Sequence, residues 1–153
     1  MIELVLLIVI LGILSSLAYN RMTEEASLRL SVAVRKLITD VRYAQQLAMT
    51  QGKRTRFYID LTNNRYYLKW NDGTYVEDPL GGGDFIVNLG EGEFQKVEIT
   101  ATDFTQGYLE FDLWGSPYAS GSLLNSQKVV AILNEGVSIQ ITPYTGKLVI
   151  TAQ

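Results

Sequence analysis

The sequence predicts an α+β fold in which one long N-terminal helix packs on a mostly antiparallel β domain. Three features lead to this prediction: an apolar run at the start, a helical stripe of apolar residues after it, and a period of two beyond Gly52. The length of 153 residues is enough for one domain with an appended helix. The predicted segments are a hydrophobic helix at 1–20, its amphipathic continuation at 21–52 and a β domain at 53–153.

The run from Ile2 to Leu14 is almost purely aliphatic, and no charge occurs from Leu4 to Asn20. A helix over this stretch is about 25 Å long, which nearly crosses a hydrocarbon core of about 30 Å. A cleaved signal peptide is one alternative, although Glu3 stands where such a peptide carries basic residues. A buried core helix is another. We favour an apolar helix that is retained in a membrane or in an assembly.

The helical pattern continues beyond Asn20, and no Pro interrupts the chain before Gly52. Apolar residues recur at alternating spacings of four and three, which predicts one buried stripe on a helix. These residues are Leu30, Val34, Leu37, Val41, Ala44 and Ala48. Gly52 is the predicted stop of the helix.

Strand patterns follow Gly52. Residues 54–60 and 65–70 alternate around the turn Thr62-Asn63-Asn64, which predicts a β-hairpin. Further strands are predicted at 85–89, 97–101, 108–113, 128–133, 137–142 and 147–151. Pro143 to Gly146 is predicted to be a tight turn, and Ala119 to Ser126 a loop of small residues.

Composition limits the function. The chain has neither His nor Cys, so it cannot form a Ser-His-Asp, Cys-His or thiolate site. Its net charge of −3 argues against a globally basic nucleic-acid binder. We therefore expect no enzymatic activity, with a membrane-tethered enzyme as the disfavoured alternative.

The segment from Ile2 to Leu14 closely resembles the N-terminus of type IV pilins and type II secretion pseudopilins. Two later segments, 37–52 and 137–150, are similar to H-type pseudopilins and FimT-like minor pilins. Phe111 to Tyr118 is similar to a segment of the major G-type pseudopilins, but Leu113 replaces a Pro, so no calcium site is carried over.

This resemblance implies a pilin-like fold and a structural subunit of a pilus or pseudopilus that polymerises through its N-terminal helix. It also implies a single-pass anchor in the bacterial inner membrane with the C-terminal domain in the periplasm. The implied partners are other pilins or pseudopilins and the prepilin peptidase that removes a basic leader. No leader precedes Ile2, and Met1 stands where the family has Leu, so the resemblance implies a chain start that is misassigned or trimmed.

Glu3 is the principal candidate for an assembly residue. In the family that this chain resembles, the carboxylate neutralises the N-terminal ammonium of a neighbouring subunit. The alternative places Glu3 at the membrane interface, where an acid suits the first turn of a helix. Gly12 is either a site of close helix packing or helix melting, or simply a tolerated glycine. The other predicted assembly residues are Leu4, Val5, Leu7, Ile8 and Leu11.

Two further sites are weaker candidates. A basic cluster of Lys53, Arg54, Arg56 and the more distant Lys147 raises the alternative of a DNA-binding minor pilin at the tip of a DNA-uptake pilus. We do not expect DNA to be a partner, because the family's basic motif is represented here by one Lys. Acidic residues around a Gly-rich loop raise the alternative of calcium binding, although we expect no cofactor; they are Asp72, Glu77, Asp78 and Asp84. The clustered Tyr residues are interpreted as sheet packing.

Overall fold

The computed structural model describes residues 2–104, 106–134 and 136–152, and within its helix the side chains of residues 14–24 are not described. One helix, α1, spans Ile2–Gln51, and a short 3-10 helix, η1, spans Gly92–Phe94. The strands are β1 Thr55–Asp60, β2 Arg65–Trp70, β3 Ile86–Asn88, β4 Ile99–Ala101, β5 Tyr108–Phe111, β6 Pro117–Ala119, β7 Ser122–Leu123, β8 Lys128–Leu133, β9 Val137–Ile141 and β10 Leu148–Ala152. The predicted boundary between the hydrophobic helix at 1–20 and the amphipathic helix at 21–52 lies outside the described side chains.

The second half of α1 packs on the β domain through the predicted stripe. Five of its six apolar residues are buried and Leu30 is partly buried, because their spacing places them along one side of the helix. Gly52 has a φ of +60°, a left-handed conformation that Gly adopts without a steric penalty, and α1 ends immediately before it.

The strands form two separate antiparallel sheets. The first has the order β3-β2-β1-β5-β6-β7, and the second has the order β10-β9-β8-β4. The predicted hairpin is confirmed, with Tyr58 of β1 opposite Tyr67 of β2. In both strands alternate residues point to the core, so Phe57, Tyr66 and Leu68 are buried.

The main core lies where α1 meets both sheets. The helix contacts β1 and β5 of the first sheet and β9 of the second. The fully buried side chains include Leu37 of the helix, Phe57 and Phe111 of the first sheet, and Ile139 and Ile141 of the second. The helix thus contacts both sheets.

The prediction of a pilin-like fold is wrong. It expected one helix on one antiparallel β domain, whereas the ten strands among the described residues divide between a six-stranded and a four-stranded sheet in a sandwich-like arrangement. The α+β content is compatible with the prediction, but the structure shows no pilin-like fold. The division was not visible in the sequence because strand periodicity does not specify long-range pairing.

The predicted loop from Ala119 to Ser126 is also wrong in its first half. Ser120 and Gly121 have φ values of 51° and 78° and join β6 to β7 as a two-residue hairpin turn. Two consecutive positive φ values are typical of the type I′ turn, whose twist suits paired strands. The Ser-Gly pair was therefore a turn signal inside what the composition presented as a loop.

Candidate functional site

The first turns of α1 carry a set of apolar side chains that the single chain leaves exposed. The relative exposures of the predicted assembly residues are 66% for Leu4, 60% for Val5, 59% for Leu7, 59% for Ile8 and 54% for Leu11. Leu4, Leu7, Ile8 and Leu11 follow the spacing that places residues on one side of a helix. The structure therefore brings them together as one apolar face.

Apolar exposure is not confined to that face. Ile2, Leu6, Val9, Ile10 and Ile13 are between 48% and 82% exposed, so apolar side chains lie on every side of the helix over residues 2–13, with Glu3 as the charged residue among them. The first buried residue of α1 among the described side chains is Ala33, which follows the partly buried Leu30. We call residues 2–13 the apolar helix segment.

Glu3 and Gly12 both lie within the apolar helix segment. Glu3 is exposed in the first turn of α1, beside exposed Ile2 and Leu4. Among the described residues outside the local helix backbone, a methyl group added at Gly12 would meet no atom within 4 Å, so no described contact requires Gly at this position.

Three of the four basic residues that were predicted to bind nucleic acid form ion pairs with carboxylates. Lys53 Nζ lies 2.8 Å from Asp72 Oδ2, and this pair is about half exposed. Arg54 and Arg56 both donate to Glu110, at 2.8 Å and 2.6 Å, and only 6% of the Glu110 side chain is exposed. The hydrogen bond to Glu110 raises the pKa of the Arg56 guanidinium.

Lys147 is exposed in the turn before β10, in the other sheet. The fourth basic residue is thus on a different part of the β domain from the corner that follows α1. Because the other three cations are already paired, the geometry gives the DNA hypothesis no support, and DNA binding stays a prediction.

The acidic loop uses two of its four carboxylates, Asp72 and Asp78, for local structure. Asp72 accepts hydrogen bonds from Lys53 and from the backbone and hydroxyl of Thr74, and the Lys53 bond is the main cause of its lowered pKa. Asp78 Oδ1 accepts from the Leu80 backbone N–H at 2.9 Å. Among the residues that the structure describes, no group of three or more His, Cys, Asp or Glu could hold a metal ion. Calcium binding stays a prediction.

Asp112, in the segment similar to G-type pseudopilins, organises a turn. Its Oδ1 accepts from the backbone N–H groups of Trp114, at 2.9 Å, and Ser116, at 2.8 Å. Asp112 is buried, whereas Trp114 is 86% exposed. The Asp112 carboxylate therefore stabilises the turn between β5 and β6.

A buried polar contact joins α1 to the first sheet. Tyr66 Oη donates to Asp40 Oδ2 at 2.8 Å, and Lys36 Nζ donates to the same atom at 2.6 Å. Burial raises the pKa of Asp40, although the hydrogen bonds from Lys36 and Tyr66 oppose this shift. Burial likewise raises the pKa of Tyr66 far above its ordinary range.

Sequence reasoning missed Glu110 and Asp40. Glu110 meets Arg54 and Arg56 only because β5 pairs with β1, more than fifty residues away. The polar residues between the stripe positions, Asp40 among them, are expected on the solvated face of the helix; for Asp40 this expectation is wrong, since it is 4% exposed. A partial signal was available, because Lys36 and Asp40 have the spacing of an ion pair on a helix.

Neither a protein-family model, nor a curated protein, nor a solved structure matches this chain. A search of the described residues for a helix long and apolar enough to cross a membrane finds none.

Proposed function

We propose that this protein is a structural subunit of a filament of the type IV pilus or type II secretion pseudopilus kind, assembled through its apolar helix segment. Before assembly the subunit is anchored in the bacterial inner membrane with its β domain in the periplasm. The observation that carries this proposal is the exposure of ten large apolar side chains in residues 2–13. The sequence resemblance of this segment to pilins and pseudopilins supports the same role.

The exposed apolar area is too large for an isolated soluble chain. Ten aliphatic side chains at these exposures present roughly 1,000 Å², whereas monomers rarely expose contiguous apolar patches of more than a few hundred Å². Removing that area from water is worth about 25 cal/mol per Å². Lipid and the helices of neighbouring subunits are both apolar, so the segment can pass from one to the other without exposure to water.

Glu3 requires a positively charged partner in the assembled helices. A carboxylate surrounded by Ile2 and Leu4 is costly to bury alone, so packed helices need to supply a cation beside it. The N-terminal ammonium of a neighbouring subunit is the partner that the pilin resemblance implies. Loss of one member of a buried ion pair costs about 3–5 kcal/mol. We therefore expect Glu3→Ala to weaken assembly while the β domain stays folded.

The proposal is tested by removing detergent from the purified full chain and imaging the product by electron microscopy. The wild type is expected to form filaments of uniform diameter, and Leu7→Asp is expected to prevent them. Tyr144→Asp is the matched control, because Tyr144 has the same exposure of 59% outside α1. Its φ of +61° also suits Asp, which tolerates left-handed backbone better than Tyr.

Filaments at wild-type yield from Leu7→Asp would contradict the proposal, as would amorphous aggregates from the wild type. Equal loss from Tyr144→Asp and Leu7→Asp would also contradict it, because the effect would then not be specific to the apolar helix segment. Circular dichroism of every variant in detergent shows whether the β domain is folded.

A further inference from the structure

An apolar groove runs along one flank of α1, where the helix meets the four-stranded sheet. Leu30 and Val34 of the helix, Val137 of β9 and Ile150 of β10 form its walls, and its volume is about 300 Å³. Ile150 is 52% exposed, so the single chain leaves the groove open to water. We call this site the helix groove. It is a second exposed apolar surface on the rod that carries the apolar helix segment.

The helix groove has the spacing of the apolar helix segment in reverse order. In the segment, Leu4, Leu7 and Leu11 are separated by three and four residues, which places them on one side of α1. The groove residues separated by four and three are Ser27, Ser31 and Val34. The two sets therefore face each other when two helices run in opposite directions. Leucines then meet small serines at two of the three positions, which lets the helices approach closely.

Charge distinguishes this antiparallel arrangement from a parallel one. The antiparallel register places Glu3 opposite Arg35, which lines the helix groove. The ion pairs found among the described residues involve neither of these two side chains. A parallel register with the same spacing places Leu4 opposite Ser31 and Glu3 opposite Leu30. Only the antiparallel register thus brings a groove cation to the carboxylate, which is costly to bury alone.

The register is compatible with two-fold symmetry. If residue 3 of one copy lies opposite residue 35 of the other, the same pair forms a second time, so the contact is isologous and closed. Covering half of the roughly 1,000 Å² of the apolar helix segment, with an equal area of the partner, buries roughly 2,000 Å² over both contacts. Stable specific interfaces bury about 1,200–2,000 Å². The uncovered half, roughly 500 Å², is no larger than the largest apolar patch of an ordinary monomer.

We propose that two copies form an antiparallel dimer in which the apolar helix segment of each copy occupies the helix groove of the other. Glu3 of each copy pairs with Arg35 of its partner. The dimer goes beyond the proposed function, because it forms in water and needs neither lipid nor a filament. Since it uses the same segment as the filament and is closed, it holds subunits back from polymerisation.

The test removes detergent from the purified full chain, pellets the filaments and measures the supernatant by sedimentation velocity over a dilution series. The wild type is expected to be a dimer that dissociates on dilution. Arg35→Glu places two carboxylates opposite each other at both contacts and is expected to raise the dissociation constant about tenfold. Arg42→Glu is the matched control, because it makes the same charge change at an exposed position of α1 outside the groove, and it is expected to have no effect.

Charge exchange within one chain tests the assigned pair. Glu3→Arg alone is expected to weaken the dimer about tenfold, as Arg35→Glu does. The double variant Glu3→Arg/Arg35→Glu is expected to return the dissociation constant to within about twofold of the wild type, because each new cation again faces a carboxylate.

Disulfide cross-linking tests the direction of the helices, because the natural chain has no Cys. In Leu11→Cys/Ser27→Cys the two thiols are about 24 Å apart on one helix, but they face each other in the antiparallel dimer. Oxidised glutathione is therefore expected to produce a covalent dimer of this variant. Leu4→Cys/Ser27→Cys is the control, because its thiols lie about 10 Å apart along the paired helices and are too distant to bond.

The proposal is overturned if the supernatant holds no dimer, if Arg42→Glu weakens the dimer as much as Arg35→Glu, or if the charge exchange fails to restore it. Equal cross-linking of the two Cys variants would also overturn it. Filaments without dimers contradict this proposal alone, and dimers without filaments contradict the proposed function alone, so the two can fail independently.

Discussion

Replacing Glu110 by Gln tests whether this buried carboxylate stabilises the β domain by joining two arginines. Its side chain is 6% exposed, and its two oxygens accept from Arg54 at 2.8 Å and from Arg56 at 2.6 Å. Gln keeps the shape but removes the charge, and its amide group places donors against a guanidinium. A hydrogen bond to a charged group contributes about 1.5–3 kcal/mol.

Hydration of the arginines reduces the expected cost. The Arg54 and Arg56 side chains are 40% and 27% exposed, so water partly replaces the lost acceptor. We expect Glu110→Gln to lower the free energy of unfolding by about 2 kcal/mol, below the 3–5 kcal/mol typical of a fully buried broken pair. Arg54→Gln removes the more exposed partner and is expected to cost at most about 1 kcal/mol.

Urea unfolding of the full chain in non-ionic detergent, followed by circular dichroism, measures both values. A Glu110→Gln variant within about 0.5 kcal/mol of the wild type would refute the reasoning, since that is the range of ordinary surface substitutions. So would an Arg54→Gln variant that is less stable than Glu110→Gln.

Two further predictions concern Asp40 and Gly146. The pKa of Asp40 is raised in the folded state. The stability that protonated Asp40 contributes is therefore complete below about pH 3.9, the ordinary pKa of Asp in an unfolded chain, and is lost as pH rises through the folded-state pKa. The free energy of unfolding of the wild type minus that of Asp40→Asn is therefore expected to be larger at pH 4 than at pH 7 in urea titrations, and the opposite trend would contradict the assigned shift. Gly146 has a φ of +67°, and a methyl group there would lie 2.7 Å from Gln45 Nε2. Gly146→Ala is expected to cost about 2 kcal/mol by thermal or urea unfolding, against about 1 kcal/mol for Gly121→Ala, where φ is +78° and no atom lies within 4 Å. Equal costs would show that the contact with Gln45 adds nothing.

Local elements of this fold could be predicted from the sequence. The stripe from Val34 to Ala48 is buried as its spacing predicts, and the Arg65–Trp70 strand pairs with its neighbour around the predicted turn. Both depend on contacts within a few residues, or on a short loop, so local periodicity determines them. Gly52 marks the end of α1 for the same local reason.

The rest depends on pairings between distant parts of the chain. β1 pairs with β5 although β2, β3, η1 and β4 lie between them in the chain, and this pairing brings Glu110 to Arg56 and Tyr108 to Tyr58. The sequence shows the alternation of each strand but not its neighbour, so the split into two sheets and the contacts of Tyr58 with Tyr67 and Tyr108 could not be predicted. The apolar helix segment could be predicted, because its composition alone indicates that its side chains must be covered from water.

Gln45 gives the fold a mechanical property. From one amide nitrogen it donates to the carbonyl of Gly115, at 2.8 Å in the turn between β5 and β6, and to that of Thr145, at 3.0 Å in the turn between β9 and β10. A tensile load applied along α1 therefore reaches both sheets through one side chain, in parallel with the packed core. Tension on α1 is thus shared between the six-stranded and the four-stranded sheet instead of being carried by β1, the strand that follows the helix.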